Sequence, residues 1–193
     1  YYGTSKKPPA DIALLGFAAG VALIDVCAPL VQANAAKLKW PNDLMLNGRK
    51  AAGILLESAQ ITPGRDDGFW FAVGVGLNIA GAPGDAGQPT ASLNEFLRGG
   101  VAPPSPIALA QVFAQRLAHW AAIIERGAFE DLRQVWELNA QGMGADARVD
   151  VAGAWIEGKA SGLSPRGEFI LALPDGETRL ISAGDVYFPA SAR

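Results

Sequence analysis

The sequence has very few of the residues on which many metal and catalytic sites depend. Its 193 residues include one cysteine, Cys27, and one histidine, His119. A single cysteine excludes a disulfide framework and a cysteine-based zinc site, and a single histidine excludes a histidine-rich metal site. We therefore expect the chemistry to depend on lysine, asparagine and aspartate side chains and on backbone groups. Cys27 is predicted to be a small buried hydrophobe and His119 to lie at the surface or its boundary.

Charged residues are also scarce, and neither sign dominates. They make up 18% of the chain, with 16 lysines and arginines against 19 acidic residues. The absence of basic runs argues against a nucleic-acid partner. The most apolar stretch, residues 12–24, contains two glycines and is shorter than the roughly 20 residues that a membrane span needs. Since no signal peptide is recognisable either, we expect a cytoplasmic protein with no membrane partner.

Apolar residues make up half of the chain, which is enough for a sizeable core and one or two domains. Hydrophobic periodicity and turn residues predict the following elements: a buried helix from Ala10 to before Pro29, a hairpin over 37–57, a strand over 69–79, a short helix over 92–98, helices over 106–126 and 129–138, and strands over 148–156, 168–173, 178–181 and 185–188. The glycines at 142–144 indicate a boundary. We therefore expect an α+β domain over residues 1–144 and a small β-barrel over residues 145–193.

The predicted hairpin carries the first candidate for chemistry. Asn47-Gly48 between two apolar runs is a strong hairpin signal, because both turn positions need positive φ. With a two-residue turn, Asp43 opposes Ala52, so that Lys50 and Asp43 lie diagonally on one face, within reach of each other. A solubilising lysine beside a turn is the ordinary alternative, and a bulge in the hairpin would change the faces.

The second candidate is a row of glycines in the predicted strand over 69–79. Gly74, Gly76 and Asn78 are two residues apart and therefore share one face. Glycine inside a strand often marks the close approach of a ligand or another backbone. A bulge or tight sheet–helix packing is the alternative. With Gly53 nearby on the hairpin, the pattern suits a planar ligand that carries an anionic group close to Lys50.

Three blocks of sequence, taken in their order and spacing, resemble the biotin protein ligase family. They are Lys-Trp-Pro-Asn-Asp-Leu at 39–44, Arg-Lys-Ala-Ala-Gly-Ile-Leu-Leu-Glu at 49–57, and Gly-Val-Gly-Leu-Asn at 74–78. The resemblance covers essentially the whole chain. It implies an α+β fold in which a mixed sheet packs against helices, like the class II aminoacyl-tRNA-synthetase-like core of biotin and lipoate ligases. It also implies that residues 145–193 form an SH3-like β-barrel.

The same resemblance implies a two-step reaction. Biotin and Mg-ATP give biotinyl-5′-adenylate, and the biotinyl group then passes to a lysine of the biotin carboxyl carrier protein of acetyl-CoA carboxylase or a related carboxylase. Biotin, ATP and Mg²⁺ are thus the implied ligands. The implied roles are Lys50 as catalytic and biotin-binding residue, Gly53, Gly74 and Gly76 as the biotin slot, Lys39, Asn42, Asp43 and Asn78 around the ATP phosphates, and Asp43 as a Mg²⁺ ligand.

The resemblance also has a gap at its start. The family's upstream Ser/Thr-Asn segment and Gly-Arg-rich loop are not found, and residue 1 is not methionine, so we expect the first third of the catalytic domain to lie outside this sequence. Two alternatives are a non-catalytic ligand-binding paralogue and a lipoate ligase-like enzyme. The lysine, the Asn-Asp pair and the glycines argue against the first, and the Trp-Pro-Asn-Asp block argues against the second. An open sheet edge would suit a homodimer.

Overall fold

A computed structural model describes residues 1–84 and 87–189, which form two five-stranded sheets and a helical layer. The elements run in this order along the chain: β1 (Tyr2–Ser5), α1 (Pro9–Ala13), α2 (Leu15–Cys27), β2 (Ala36–Lys39), β3 (Asp43–Leu46), β4 (Arg49–Gln60), β5 (Phe69–Leu77), a short 3₁₀ helix (Leu93–Phe96), α3 (Pro106–Glu125), α4 (Phe129–Leu138), β6 (Asp146–Val151), β7 (Ala154–Leu163), β8 (Phe169–Ala172), β9 (Thr178–Ile181) and β10 (Asp185–Tyr187).

The first sheet has the strand order β1-β5-β4-β3-β2, and each of these pairs is antiparallel. The predicted mixed sheet is therefore wrong for the described strands. Parallel pairing occurs only in two isolated bridges among the described residues, Leu38 with Ala140 and Lys50 with Thr90. The α+β class itself is confirmed.

The first arm of the predicted hairpin is two strands rather than one. The chain reverses at residues 40–42, so that β2 and β3 pair with each other and Lys39 lies opposite Asp43. Pro41 has no N–H to donate to a strand ladder, which is the physical reason that the extended run ends there. The reversal places β2 beside β3 as the edge strand and so brings Lys39 onto the edge of the sheet.

The turn at Asn47 and Gly48 is present as predicted, with φ of 46° and 76°. Beyond the turn the register shifts by one residue, so that Asp43 opposes Gly53 and not Ala52 as the ungapped hairpin predicts. An extra residue of this kind is a β-bulge, which re-aims side chains near the turn. Because of the bulge, Gly53 of β4 lies opposite Asp43 of β3 on one side and opposite Gly76 of β5 on the other.

The core lies between the first sheet and the helices α2, α3 and α4. Phe17 packs edge-on against Phe129 and Trp136, with ring centroids 5.7 Å apart in both pairs. The predicted first helix is confirmed but breaks at Leu14 into α1 and α2. His119 is exposed, as predicted.

Within residues 1–84 and 87–189, two helical segments are long and apolar enough to cross a membrane by length and composition alone. They are Pro9–Cys27, which is 67% buried inside the structure, and Pro106–Glu125, which is 22% buried. The first segment packs as the central helix of the core, and core helices of globular domains share its length and composition.

Cys27 ends α2 and is completely buried, and this burial raises the pKa of its thiol from 9.0 to about 12. Since the thiolate is the reactive form, we expect the folded protein not to react with a thiol reagent at pH 8. The unfolded thiol loses its proton first, so the free energy of unfolding should fall as pH rises above about 9. Reagent uptake that follows unfolding in denaturant would confirm this prediction, and rapid uptake by the native protein would contradict it.

The second sheet has the strand order β10-β6-β7-β8-β9, also antiparallel throughout. Within the described residues no pairing of β9 with β10 closes this sheet, so the predicted SH3-like barrel is not confirmed. The turn before β8 packs on the core beneath the first sheet: Gly167 lies against Phe17, and its carbonyl accepts a hydrogen bond from the Trp40 indole at 3.1 Å. Trp40 is 4% exposed and is part of the hydrophobic core.

Replacing Gly167 with alanine tests this packing. Gly167 has φ of +78°, and an added Cβ would lie 2.5 Å from a Phe17 ring carbon. We expect the substitution to lower the free energy of unfolding by about 2–4 kcal/mol. Gly176 is the matched control, because it has φ of +88° with nothing within 4 Å of an added Cβ. Its alanine variant should lose only about 1–2 kcal/mol; equal losses in denaturant melts would contradict the packing argument.

Candidate active site

The solvent-facing side of β3, β4 and β5 brings a lysine, a carboxylate and three glycines together. Lys50 Nζ lies 2.6 Å from Asp43 Oδ1. Gly53 opposes Asp43 on one side and Gly76 on the other. The predicted contact of Lys50 with Asp43 is thus present, but in the bulged register. The contact argues against a lysine that only solubilises the turn.

The two side chains of this ion pair differ in how deeply they are buried. The Asp43 side chain is 11% exposed, whereas that of Lys50 is 30% exposed. Among the described residues, Asp43 Oδ1 has no hydrogen-bond partner besides its contact with this ammonium. A buried carboxylate needs a counter-charge, while an ammonium has three N–H donors. Lys50 can therefore neutralise Asp43 and still present N–H groups to a ligand.

Glycines of β4 and β5 form a bare surface, which we call the glycine floor (Gly53, Gly74 and Gly76). A Cβ added at Gly76 would meet nothing within 4 Å, and one at Gly74 would meet only the Leu55 carbonyl at 3.9 Å. Packing within the described chain therefore does not require glycine at these two positions. The predicted alternative, tight sheet–helix packing, is not what the structure shows there. At Gly53 an added Cβ would lie 3.4 Å from Lys50 Cε, so this glycine keeps room for the lysine stem.

A cavity of about 390 Å³ opens above these strands, within the range of small-molecule sites. It is lined by Lys50, Ala51, Ala52, Gly53, Gly76, Leu77, Asn78, Pro83, Gln88 and Thr90. Among the lining residues of β4, Lys50 is the one nearest the start of the strand. Asn78 comes directly after the last residue of β5.

Asn78 joins the cavity to the loop that follows β5. Its side-chain amide donates to the Ala91 carbonyl at 3.2 Å, and its backbone N–H donates to the Ala51 carbonyl at 2.8 Å. Residues 89–91 run beside Lys50, whose backbone N–H donates to the Pro89 carbonyl and whose carbonyl accepts from the Ala91 N–H, both at 2.9 Å. The loop is thus part of the wall of the cavity.

Sequence reasoning missed these loop residues, namely Pro83, Gln88 and Thr90. One signal was readable: Ser92 and Glu95 form a capping box on the short 3₁₀ helix, with the Glu95 carboxylate accepting from the Ser92 N–H at 2.7 Å. Glu95 also pairs with Arg49 at 2.7 Å. The capping box fixes where the loop ends, and the ion pair ties that end to the residue before Lys50.

Two predicted site residues lie outside this cavity. Asn42 is exposed, its amide donates to the Ile54 carbonyl at 2.8 Å, and it lines a separate cavity of about 540 Å³. Lys39 lies opposite Asp43, but its ammonium is 5.2 Å from the centre of the Tyr187 ring. Both residues are close to Asp43 in the sequence, but neither lines the cavity that contains Lys50.

Asp43 is the predicted metal ligand. The described residues contain no group of three or more His, Cys, Asp or Glu side chains that could hold a metal ion. Mg²⁺ often binds proteins through one or two carboxylates, with substrate phosphates and water as its other ligands. The residues present fit Mg²⁺ only in that form, with Asp43 as one of several ligands.

This fold and site define a two-sheet α+β protein in which a lysine paired with a carboxylate lines a ligand-sized cavity. Residues 4–78 match the family model described as the Biotin/lipoate A/B protein ligase family, and residues 151–188 match the Biotin protein ligase C terminal domain. A biotin–[acetyl-CoA-carboxylase] ligase of Paracoccus denitrificans is 36% identical over 91% of this chain and 73% of its own length. The chain belongs to the biotin protein ligase family.

A second curated relative and one solved structure are also similar to this chain. A biotin–[acetyl-CoA-carboxylase] ligase of Mycobacterium tuberculosis is 35% identical over 89% of this chain, which spans 61% of that relative. The biotin protein ligase of Aquifex aeolicus, solved in complex with biotin and ATP, superimposes with a TM-score of 0.72. The superposition covers 98% of this chain and 77% of that one, at 19% identity, and so shows a shared fold.

Proposed function

We propose that the protein activates biotin with ATP and transfers it to a lysine of a biotin carboxyl carrier domain. In the first step a biotin carboxylate oxygen bonds to the α-phosphorus of ATP, and pyrophosphate leaves. In the second step the carrier lysine attacks the acyl carbon, and AMP leaves. The observation that carries the proposal is the Lys50 ammonium held by Asp43 above a bare glycine floor.

Lys50 would supply the positive charge that offsets the two negative charges of the reacting groups. A carboxylate and a phosphate repel each other, and a fixed ammonium between them lowers the energy of their approach. The 2.6 Å contact with Asp43 holds the ammonium in place before either substrate arrives. Such preorganised charge acts most strongly where water is excluded. Lys50 is accordingly proposed as the catalytic residue.

The glycine floor would receive the ring system of biotin. A flat bicyclic ring needs a surface without side chains, and the space above Gly74 and Gly76 is open. Gly53 completes the floor and leaves the stem of Lys50 free to reach the carboxylate end of the ligand. We assign these three glycines to biotin.

The nucleotide would lie at the polar end of the site. Asn78 lines the cavity, and its ordered amide suits a phosphate oxygen. Asn42 and Lys39 flank Asp43 at the edge of the sheet and are proposed as further phosphate contacts. Mg²⁺, bound by the phosphates with Asp43 as one protein ligand, would supply additional positive charge.

The carrier partner and the organisation of the chain are proposed on the family assignment. Both curated relatives are named for acetyl-CoA carboxylase, so a biotin carboxyl carrier protein is the proposed acceptor. We propose residues 1–144 as the catalytic part and 145–193 as an SH3-like C-terminal domain, which the family match over 151–188 supports. A cytoplasmic location and a homodimer stay predictions.

The test is biotin-dependent exchange of labelled pyrophosphate into ATP by the full-length natural protein. We expect exchange with biotin and none with lipoic acid, followed by biotinylation of a carrier domain but not of its lysine-to-arginine variant. Exchange with lipoic acid alone would identify a lipoate ligase-like enzyme. Biotin binding without exchange would identify the non-catalytic paralogue and overturn the proposal.

A further inference from the structure

The block of residues 39–43 contacts the second sheet through two adjacent side chains. The Trp40 indole N–H donates to the Gly167 carbonyl at 3.1 Å, and the Trp40 ring centre lies 5.6 Å from that of Phe169. The ammonium of the preceding Lys39 lies over Tyr187. Both contacts therefore hold the start of the β2–β3 turn on the second sheet.

The Gly167 carbonyl is a well-fixed acceptor. Gly167 donates its own N–H to the Ser164 carbonyl at 2.9 Å, and the buried Ser164 hydroxyl accepts the N–H groups of Arg166 and Glu168. On its other side Gly167 packs against Phe17 of the core. A carbonyl held in this way can fix the position of the indole that binds it.

Only residues 41 and 42 separate Trp40 from Asp43. Because this connection is so short, the position of the Trp40 indole constrains the position of Asp43. Asn42 exchanges two hydrogen bonds with Ile54, one from its side chain at 2.8 Å and one to its backbone carbonyl at 2.9 Å. Asp43 follows at once and holds the Lys50 ammonium. A shift of Trp40 therefore moves the carboxylate against which the lysine is aligned.

We propose that Trp40 is a positioning residue, through which the second sheet holds Asn42 and Asp43 in register with Lys50. This inference rests on the proposed function for its catalytic consequence. Trp40 does not line the cavity that holds Lys50 and acts through the turn, so the glycine floor is independent of it. Loss of the indole N–H should thus affect the alignment of the charges and leave the biotin surface intact.

The experiment compares Trp40→Phe with Trp120→Phe. Both changes remove an indole N–H and keep an aromatic ring. Trp120 is the control, because its N–H donates to Asp25 at 2.8 Å and joins α3 to α2, away from the cavity. We expect Trp40→Phe to lower kcat for adenylate formation about tenfold, since small misplacements of reacting groups are costly. The Kd for biotin should stay within about twofold, and Trp120→Phe should leave kcat near wild type.

A second measurement does not depend on activity. The Ile54 N–H donates to the Asn42 carbonyl, so its hydrogen exchange reports whether the turn keeps its register. Trp40→Phe should speed this exchange by about tenfold relative to wild type, and Trp120→Phe should not. Unchanged Ile54 exchange, or equal effects of the two variants on kcat, would overturn the inference. An inactive wild type would overturn the proposed function instead, and the exchange of Ile54 would still decide the role of Trp40.

Discussion

Replacing Lys50 with alanine should reduce biotin-dependent adenylate formation by about 10²–10³-fold, the loss typical of removing a preorganised charge-stabilising donor. The ammonium is the positive group that the structure places against Asp43 at 2.6 Å, and the Lys50 side chain is still 30% exposed. The substitution leaves the glycine floor in place. We therefore expect biotin binding to weaken much less than kcat falls, as measured by pyrophosphate exchange and by calorimetry.

The same substitution removes the counter-charge of a buried carboxylate. We expect a loss of about 1–3 kcal/mol in the free energy of unfolding, because Asp43 is left nearly buried and unpaired. Lys6→Ala is the matched control, since Lys6 is exposed and follows β1 away from the site. Adding Asp43→Asn to Lys50→Ala should restore part of the stability without restoring activity. A Lys50→Ala enzyme with a wild-type rate would refute the catalytic role.

Replacing Gly76 with valine should abolish biotin binding without harming the fold, with Kd raised by at least about 100-fold. Nothing in the described chain lies within 4 Å of a Cβ at this position, so the side chain would project into the space assigned to biotin. Valine is also a better strand former than glycine, by up to about 1 kcal/mol. The variant should therefore unfold at the same denaturant concentration as wild type or at a higher one.

Ala72→Val is the control for this substitution. Ala72 lies on the same face of β5, opposite Glu57 and Tyr2 and outside the cavity lining. It should keep wild-type affinity for biotin, measured by the same titration. If Gly76→Val binds biotin normally, the biotin ring does not lie on the glycine floor. If the variant fails to fold, the space above Gly76 is occupied by the protein itself and is not open to a ligand.

Local patterns were sufficient for much of the site. Alternation along a strand places Gly74, Gly76 and Asn78 on one face, and the Asn47-Gly48 turn fixes which runs of sequence pair. Periodicity likewise predicted the helices. These features depend on residues close in sequence, and backbone sterics decide them before any tertiary contact forms.

Other features depend on groups that are distant along the chain. The bulge that aligns Asp43 with Gly53 occurs where the Ala51 carbonyl accepts the N–H of Asn78, 27 residues further along the chain. Gln88 and Thr90 line the cavity because the backbone of residues 89 and 91 pairs with Lys50. No local pattern encodes these pairings, since they depend on which backbone groups remain free once the sheet is formed.

The amino-acid order alone established the family, the α+β class and a lysine beside a row of glycines, because motifs and strand alternation are local properties. Tertiary structure decided that β2 and β3 form a separate hairpin, that Asn42 lies outside the lysine's cavity, and that the second sheet supports the turn before Asp43. The last of these features arises from a contact between segments more than 100 residues apart, Trp40 with Gly167. Buried polar groups must find partners wherever the fold places them, and only the complete fold determines which partners are within reach.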